Sequence, residues 1–344
     1  MKIVDLRSDT ITKPSPDMRA AMAAAEVGDD VFSEDPTVNS LQERIKTLTG
    51  KEAALFVSSG TQANQTAINA HTQPGDEVIC EYNSHIFNYE AGAPAMLSGV
   101  QLHPLQGQAG VLDPDQVVQS IRSADHHFPR TRLICLENTH NRWGGAIYPL
   151  EHIVEIRKIA DRFGLKMHLD GARLWNASVA TGISIAEYSR YFDSLSLCFS
   201  KGLGAPVGSV VAGSGEFIDR VHYYRKAYGG GMRQSGILAA AALYAIDHNV
   251  DRLKEDHLRT KILAENISSL PDISINPALV QTNIVIFEVM SRTKSAPEYA
   301  DELSREGIKM IAFSSKKLRA VTHLDIDDSD IDFVIQKLNK LYRS

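Results

Sequence analysis

Over its first two-thirds the chain alternates short apolar runs with longer amphipathic stretches, and this alternation narrows its fold more than any other feature. Strand-like runs occupy Ala53–Val57, Val78–Glu81, Gly99–His103, Arg132–Glu137, Lys166–Asp170, Ser194–Ser200 and Ser209–Ala212. Several are largely apolar without a polar face, as strands covered by helices on both sides are. Between two of them Leu150, Ile153, Val154, Ile156, Ala160 and Phe163 recur at helical spacing, and Gly164 supplies the stop before the next strand. The pattern predicts an α/β fold built on a mostly parallel sheet.

The last third reads differently. From Arg233 to Ser268 the chain lacks proline and is rich in alanine and leucine, predicting a long helix or a helix pair that leads out of the sheet. Beyond it Asn283–Val289, Ile308–Ala312 and Leu318–Leu324 read as strands, and Ser329–Leu341 as a closing helix with Ile331, Val334, Ile335 and Leu338 on one face. We expect a large domain over residues 1–248, with an N-terminal arm at 1–15, and a small α+β domain over 249–344.

Charge and cysteine usage exclude several classes of function. Lys and Arg number 36 against 42 Asp and Glu, with no basic run, so a nucleic-acid footprint is not expected. Cys80, Cys135 and Cys198 are far apart, each inside or near the end of an apolar run, which supports neither a disulfide framework nor a thiolate metal cluster and fits a reducing cytoplasm. No other metal-ligand cluster stands out. The apolar stretch in the opening MKIVDLRSDT is too short for a signal-peptide core, and nowhere do ~18 apolar residues run together, so neither export nor a membrane span is expected.

Three segments carry chemistry. In SLSLCFSKGLGAPVGS (Ser194–Ser209) an apolar strand ends at Ser200-Lys201 and enters a loop with Gly202, Gly204 and Gly208. A lysine flanked by glycines at such a strand end can be desolvated, which suits an amine that forms a Schiff base with an aldehyde, although a lone strand-end lysine is also an ordinary surface residue. In KMHLDGARLWNA (Lys166–Ala177) Asp170 closes another apolar strand, with Arg173 three residues on. A carboxylate there can keep a pyridine nitrogen protonated, as an electron-sink cofactor requires, or simply cap the following turn. In FVSSGTQAN (Phe56–Asn64) Ser-Ser-Gly-Thr lies between strand and helix, where backbone N–H groups favour a phosphate.

Taken in order with His85 between them, these segments resemble the fold-type I pyridoxal-phosphate enzymes, and within them the low-specificity L-threonine aldolase family. The resemblance runs through DLRSDT (Asp5–Thr10), VGDDVF (Val27–Phe32), Asp35–Asn39, SSGTQAN, ENTHN (Glu137–Asn141), HLDGAR, SKGLGAPVGS, GGGMRQ (Gly229–Gln234) and RAVTHLD (Arg319–Asp325). It implies pyridoxal 5'-phosphate as cofactor, with Lys201 as its Schiff-base lysine, Asp170 on the pyridine nitrogen, Gly60 and Thr61 around the phosphate and His85 stacked on the ring. Arg173 is then expected to face the phenolic oxygen and the substrate carboxylate, with Ser8 and Arg319 completing a carboxylate clamp. His85 and His127 are the base candidates, and a structural ion pair is the other use of Arg319. The family also implies a homodimer or homotetramer with shared active sites, in which Lys226 or Arg233 of KAYGGGMRQ approaches the cofactor phosphate or substrate of a neighbouring subunit.

The implied reaction is cleavage of threonine-type β-hydroxy-α-amino acids to glycine and an aldehyde. Two departures stand out. Phe32-Ser33 replaces a frequent Tyr-Gly, removing a hydroxyl, and NRWGGAIYP (Asn141–Pro149) is the Gly-Gly form of a segment that is shorter in some relatives. The same lysine, aspartate and phosphate loop also serve β-elimination and transamination, whereas a dinucleotide enzyme is excluded because Gly202 and Gly204 lack the required glycine spacing.

Overall fold

In the computed structural model, which describes residues 2–343, the seven apolar runs pair into one sheet. Its strands are β1 (Ala53–Val57), β2 (Asp76–Glu81), β3 (Gln101–Leu105), β4 (Arg130–Glu137), β5 (Lys166–Gly171), β6 (Ser194–Cys198) and β7 (Ser209–Gly213), in the spatial order β1-β7-β6-β5-β4-β2-β3. Neighbours from β3 through β6 are parallel, and β7 is reversed, pairing antiparallel with both β6 and β1. Strands β6 and β7 are buried along their whole length, which explains why they lack a polar face.

Local sequence accounts for where elements stop. Helix Leu150–Phe163 ends on Gly164 in the left-handed conformation (φ 65°), as the sequence predicts. The expected strand at Gly99 starts instead at Gln101, because Gly99 (φ 65°) closes the helical turn Pro94–Ser98. The expected strand end at Ser200 moves back to Cys198, and the chain bends through Phe199–Lys201, which carries the lysine out of the sheet.

The proline-free segment forms two helices, Gly236–His248 and Leu253–Ile267. The second of them spans two cores: Leu253 packs with the large sheet, while Leu263, Ala264 and Ile267 pack with a separate cluster. That cluster underlies a four-stranded antiparallel sheet in the order Ile311–Ala312, Lys317–Val321, Ile284–Val289, Ile273–Ser274, closed by helix Asp328–Tyr342. The expected strand Ile308–Ala312 is divided: Ile308–Lys309 pairs in parallel with Val4–Asp5 of the N-terminal arm, and Ile311–Ala312 joins the sheet. Val4 and Leu6 are buried in this second core, so the arm is fixed there and delivers Ser8 and Asp9 to the large sheet. Among the described residues no helix is long and apolar enough to cross a membrane.

Candidate active site

A cavity of about 280 Å³ opens where the carboxyl ends of β1, β4, β5 and β6 meet, the crevice in which open α/β sheets hold ligands. The N-terminal arm contributes Ser8 and Thr10 to its wall, and the antiparallel sheet contributes Arg319.

At the end of β1, the Ser59 hydroxyl accepts the Gln62 N–H and starts helix Gly60–His71. Gly60 and Thr61 line the cavity at the positions where helical N–H groups have no partner within the helix. A Cβ at Gly60 would lie 2.8 Å from Cys198 Sγ, so glycine is what allows this turn to pack against β6.

Asp170, buried at the end of β5, accepts from Asn64 Nδ2 (2.8 Å) and from the Ala172 N–H (3.0 Å). Burial alone would raise its carboxyl, but the charges of His85 and Lys201 and these hydrogen bonds outweigh it and hold Asp170 below its ordinary value. The Asn64 amide also donates to Glu90 (2.8 Å), while its oxygen accepts from Ser196 Oγ (3.1 Å) and His168 Nε2 (3.3 Å). Those two donors fix which way the amide faces. Burial pulls His168 down to about 4, so it is neutral and can serve as such a donor.

His85 follows β2, with Nδ1 2.8 Å from Glu90 and its backbone N–H donating to Glu137 (2.7 Å). Burial works to lower its pKa, yet the Glu90 hydrogen bond and the charges of Asp170, Glu90 and Glu137 raise it. The other Glu137 oxygen accepts the Asn141 N–H (2.9 Å), and Asn141 Oδ1 accepts from Arg319 Nη1 (3.0 Å) and Arg173 Nη1 (3.4 Å). Glu137 and Asn141 therefore tie the histidine to both arginines.

The two arginines differ. Arg173 donates through Nε and Nη2 to buried Asp9 (2.8 and 2.6 Å), whose carboxyl lies far below its ordinary value because the guanidinium beside it outweighs burial. Arg319 donates to Asn141 and to the Arg7 carbonyl (2.8 Å), stacks on Phe313 at 4.5 Å, and leaves Nε without a partner. Among the described residues no carboxylate pairs with it, so the structural ion pair that the sequence allowed does not form. Burial and the Arg173 charge pull its pKa down to about 10. Alternation along Lys317–Val321 explains its direction: Leu318 and Ala320 face the second core, and Arg319 faces the cavity.

Of the residues named from sequence, Ser8, Gly60, Thr61, His85, Asp170, Arg173, Lys201 and Arg319 surround this one cavity. Lys201 Nζ lies 3.5 Å from Cys198 Sγ. Three others are elsewhere in the chain. His127 is exposed in the loop before β4, with Nδ1 2.7 Å from Asp125. Lys226 is exposed near the end of helix Gly215–Ala227, and Arg233 pairs with Asp29 (2.9 Å). Phe32 is exposed, and Ser33 holds the left-handed conformation (φ 59°) natural to the glycine it replaces.

Sequence reasoning missed Asp9, Asn64, Glu90, Glu137 and Asn141. All but Glu90 sit inside quoted motifs, so the signal lay in their polar residues before partners could be assigned to them. The beta-eliminating lyase family model matches residues 5–290. Low-specificity L-threonine aldolase 1 of Arabidopsis thaliana is 42% identical over 340 residues, covering 97% of this chain and 95% of the relative. The chain belongs to the low-specificity L-threonine aldolase family. The low specificity L-threonine aldolase of Escherichia coli K12 is 43% identical over 326 residues, covering 94% of this chain and 95% of its own. The threonine aldolase structure from Leishmania major superposes with a TM-score of 0.82 at 18% identity, covering 98% and 99% of the two chains, which speaks to the shared fold-type I architecture alone.

Proposed function

We propose that this chain cleaves L-threonine, L-allo-threonine and related β-hydroxy-α-amino acids to glycine and an aldehyde, using pyridoxal 5'-phosphate. The observation that carries the reading is the unpaired, buried Arg319 guanidinium facing a cavity that also holds Lys201 and Asp170. A buried cation without an anion is costly, and a substrate carboxylate supplies the missing charge in paired hydrogen bonds.

The residues present fit the cofactor. Lys201 would attach it, Asp170 would meet the pyridine nitrogen, Gly60 and Thr61 would cradle the phosphate, and the His85 ring would cover one face, with the free edge of Arg173 toward the phenolic oxygen. Bound there, pyridoxal phosphate supplies the sink for the electron pair released when Cα–Cβ breaks. Arg319 binds the substrate carboxylate. The Ser8 hydroxyl oxygen accepts from Thr10, leaving its own proton free to donate to that carboxylate. His85 Nδ1 is engaged by Glu90, so Nε2 is the atom that takes the β-hydroxyl proton as the aldehyde departs.

Exposed Lys226, Arg233 and His127 take no part in this single-chain cavity, and any contact of theirs with a site falls to a second copy in a homodimer or homotetramer. The free, buried Cys80, Cys135 and Cys198 suit a cytoplasmic setting. We retain the division near residues 248 and 249 as the domain boundary.

The test is to supply L-threonine and pyridoxal phosphate and assay the products. Glycine and acetaldehyde in equal amounts are expected, with Lys201→Ala inactive, lacking the absorption of attached cofactor and still folded. Release of 2-oxobutanoate instead would assign β-elimination.

A further inference from the structure

The reading above uses one buried carboxylate only to occupy His85 Nδ1, and its surroundings give it more to do. Glu90 is buried just past the short helix His85–Asn88, before a turn in which Ala91 (φ 54°) and Gly92 (φ 71°) are both left-handed. Its Oε1 accepts from His85 Nδ1 and from Asn64 Nδ2, each at 2.8 Å, and its Oε2 accepts from Gln65 Nε2. Since its partner is a carboxylate, Nδ1 of His85 must carry the proton. The second hydrogen of the same Asn64 amide goes to Asp170, so one side chain bridges both buried acids.

We propose that Glu90 is the positioning residue of His85: it fixes the ring's orientation and its Nδ1–H tautomer, and it sets the pH at which Nε2 gains or loses a proton. The arrangement is the acid–imidazole pairing in which an acceptor behind one ring nitrogen strengthens the other as a base. The proposal deepens the reading above and rests on it for the task assigned to Nε2. His85 is also faced by Asp170 from β5, by Glu137 at the end of β4 and by the Tyr89 ring 5.7 Å away, whose hydroxyl accepts from Arg142. Lys201 completes the set of charges through Asp170. Of these, Glu90 alone is hydrogen-bonded to the His85 ring.

Glu90→Gln separates charge from shape. The Gln65 Oε1 is buried without a partner, so turning that amide over lets Gln65 accept from the new NH2 while the remaining oxygen keeps its bonds to His85 and Asn64. The variant should therefore fold. His85 is followed by ring 15N NMR across pH, without substrate, in wild type and variant, alongside the pH dependence of kcat/KM for L-threonine. The proposal expects the His85 midpoint to fall by about one pH unit or more, the scale of losing an adjacent opposite charge. The acid limb of the rate profile should move down with it.

An unchanged His85 titration in a folded Glu90→Gln protein overturns the proposal, and a melting temperature that drops while the titration stays put reduces Glu90 to packing. A titration that moves while the acid limb stays sustains Glu90 as the positioning residue and counts instead against His85 as the base.

Discussion

The two ends of the cavity handle charge in opposite ways. At the Asp170 end the chain partners its own acids: Glu90 is hydrogen-bonded to the His85 ring, Glu137 to the His85 N–H, Asp170 lies near His85 and Lys201, and Asn64 bridges Asp170 and Glu90. At the clamp end Asp9 satisfies Arg173, and Arg319 is left over. The Asp170 end suits a permanent fixture, because its buried acids keep their hydrogen-bond partners within the chain whether or not substrate is bound. The unbalanced end suits a visitor, because its missing anion arrives and leaves with the substrate.

The sharpest way to break the comparison is to unbalance what is balanced. Asp9→Ala strands the buried Arg173 guanidinium, and a loss of about 3–5 kcal/mol in urea unfolding is expected from removing one partner of a buried pair. Asp170→Asn keeps the shape but removes the charge opposite the cofactor, and kcat should fall on the order of 10²–10³-fold with the cofactor retained. Arg319→Met should raise KM for L-threonine by about 10²-fold, the worth of charge-assisted hydrogen bonds, without the stability loss of Asp9→Ala.

A smaller effect sharpens the same contrast through pH. Burial holds His168 neutral, down to about 4 from a free value of 6.5. In that window the unfolded chain binds the proton and the native one does not, so stability rises with pH and is lost as pH falls below about 6.5, at roughly 1.4 kcal/mol per pH unit. Burial lowers His71 and His257 in the same way, to about 3 and about 4, so His168→Gln should reduce the stability difference between pH 5 and pH 7 in denaturation by one histidine's share, while Arg319→Met should leave it unchanged.

Much of this was legible in the sequence for a physical reason. Apolar runs and glycine stops act locally, so the strands around Asp170 and the end of helix Leu150–Phe163 could be read directly. Lys201, Asp170 and Gly60 were legible because each sits at or within three residues of the end of an apolar strand. The split of Ile308–Ala312 was not, since it depends on pairing with Val4–Asp5, some three hundred positions away. Asp9 and Glu90 were missed for the same reason: their meaning lies in Arg173 and His85, and nothing local marks a carboxylate as buried.

The most direct measurement concerns Arg319. Wild-type and Arg319→Met proteins, both loaded with pyridoxal phosphate, are melted with and without saturating glycine, whose carboxylate matches that of the substrate. If the clamp end is built one anion short, glycine raises the melting temperature of the wild type and not of the variant, and the variant without glycine melts no lower than the wild type. A variant that melts well below the wild type when ligand-free, yet keeps the full gain with glycine, would contradict the account.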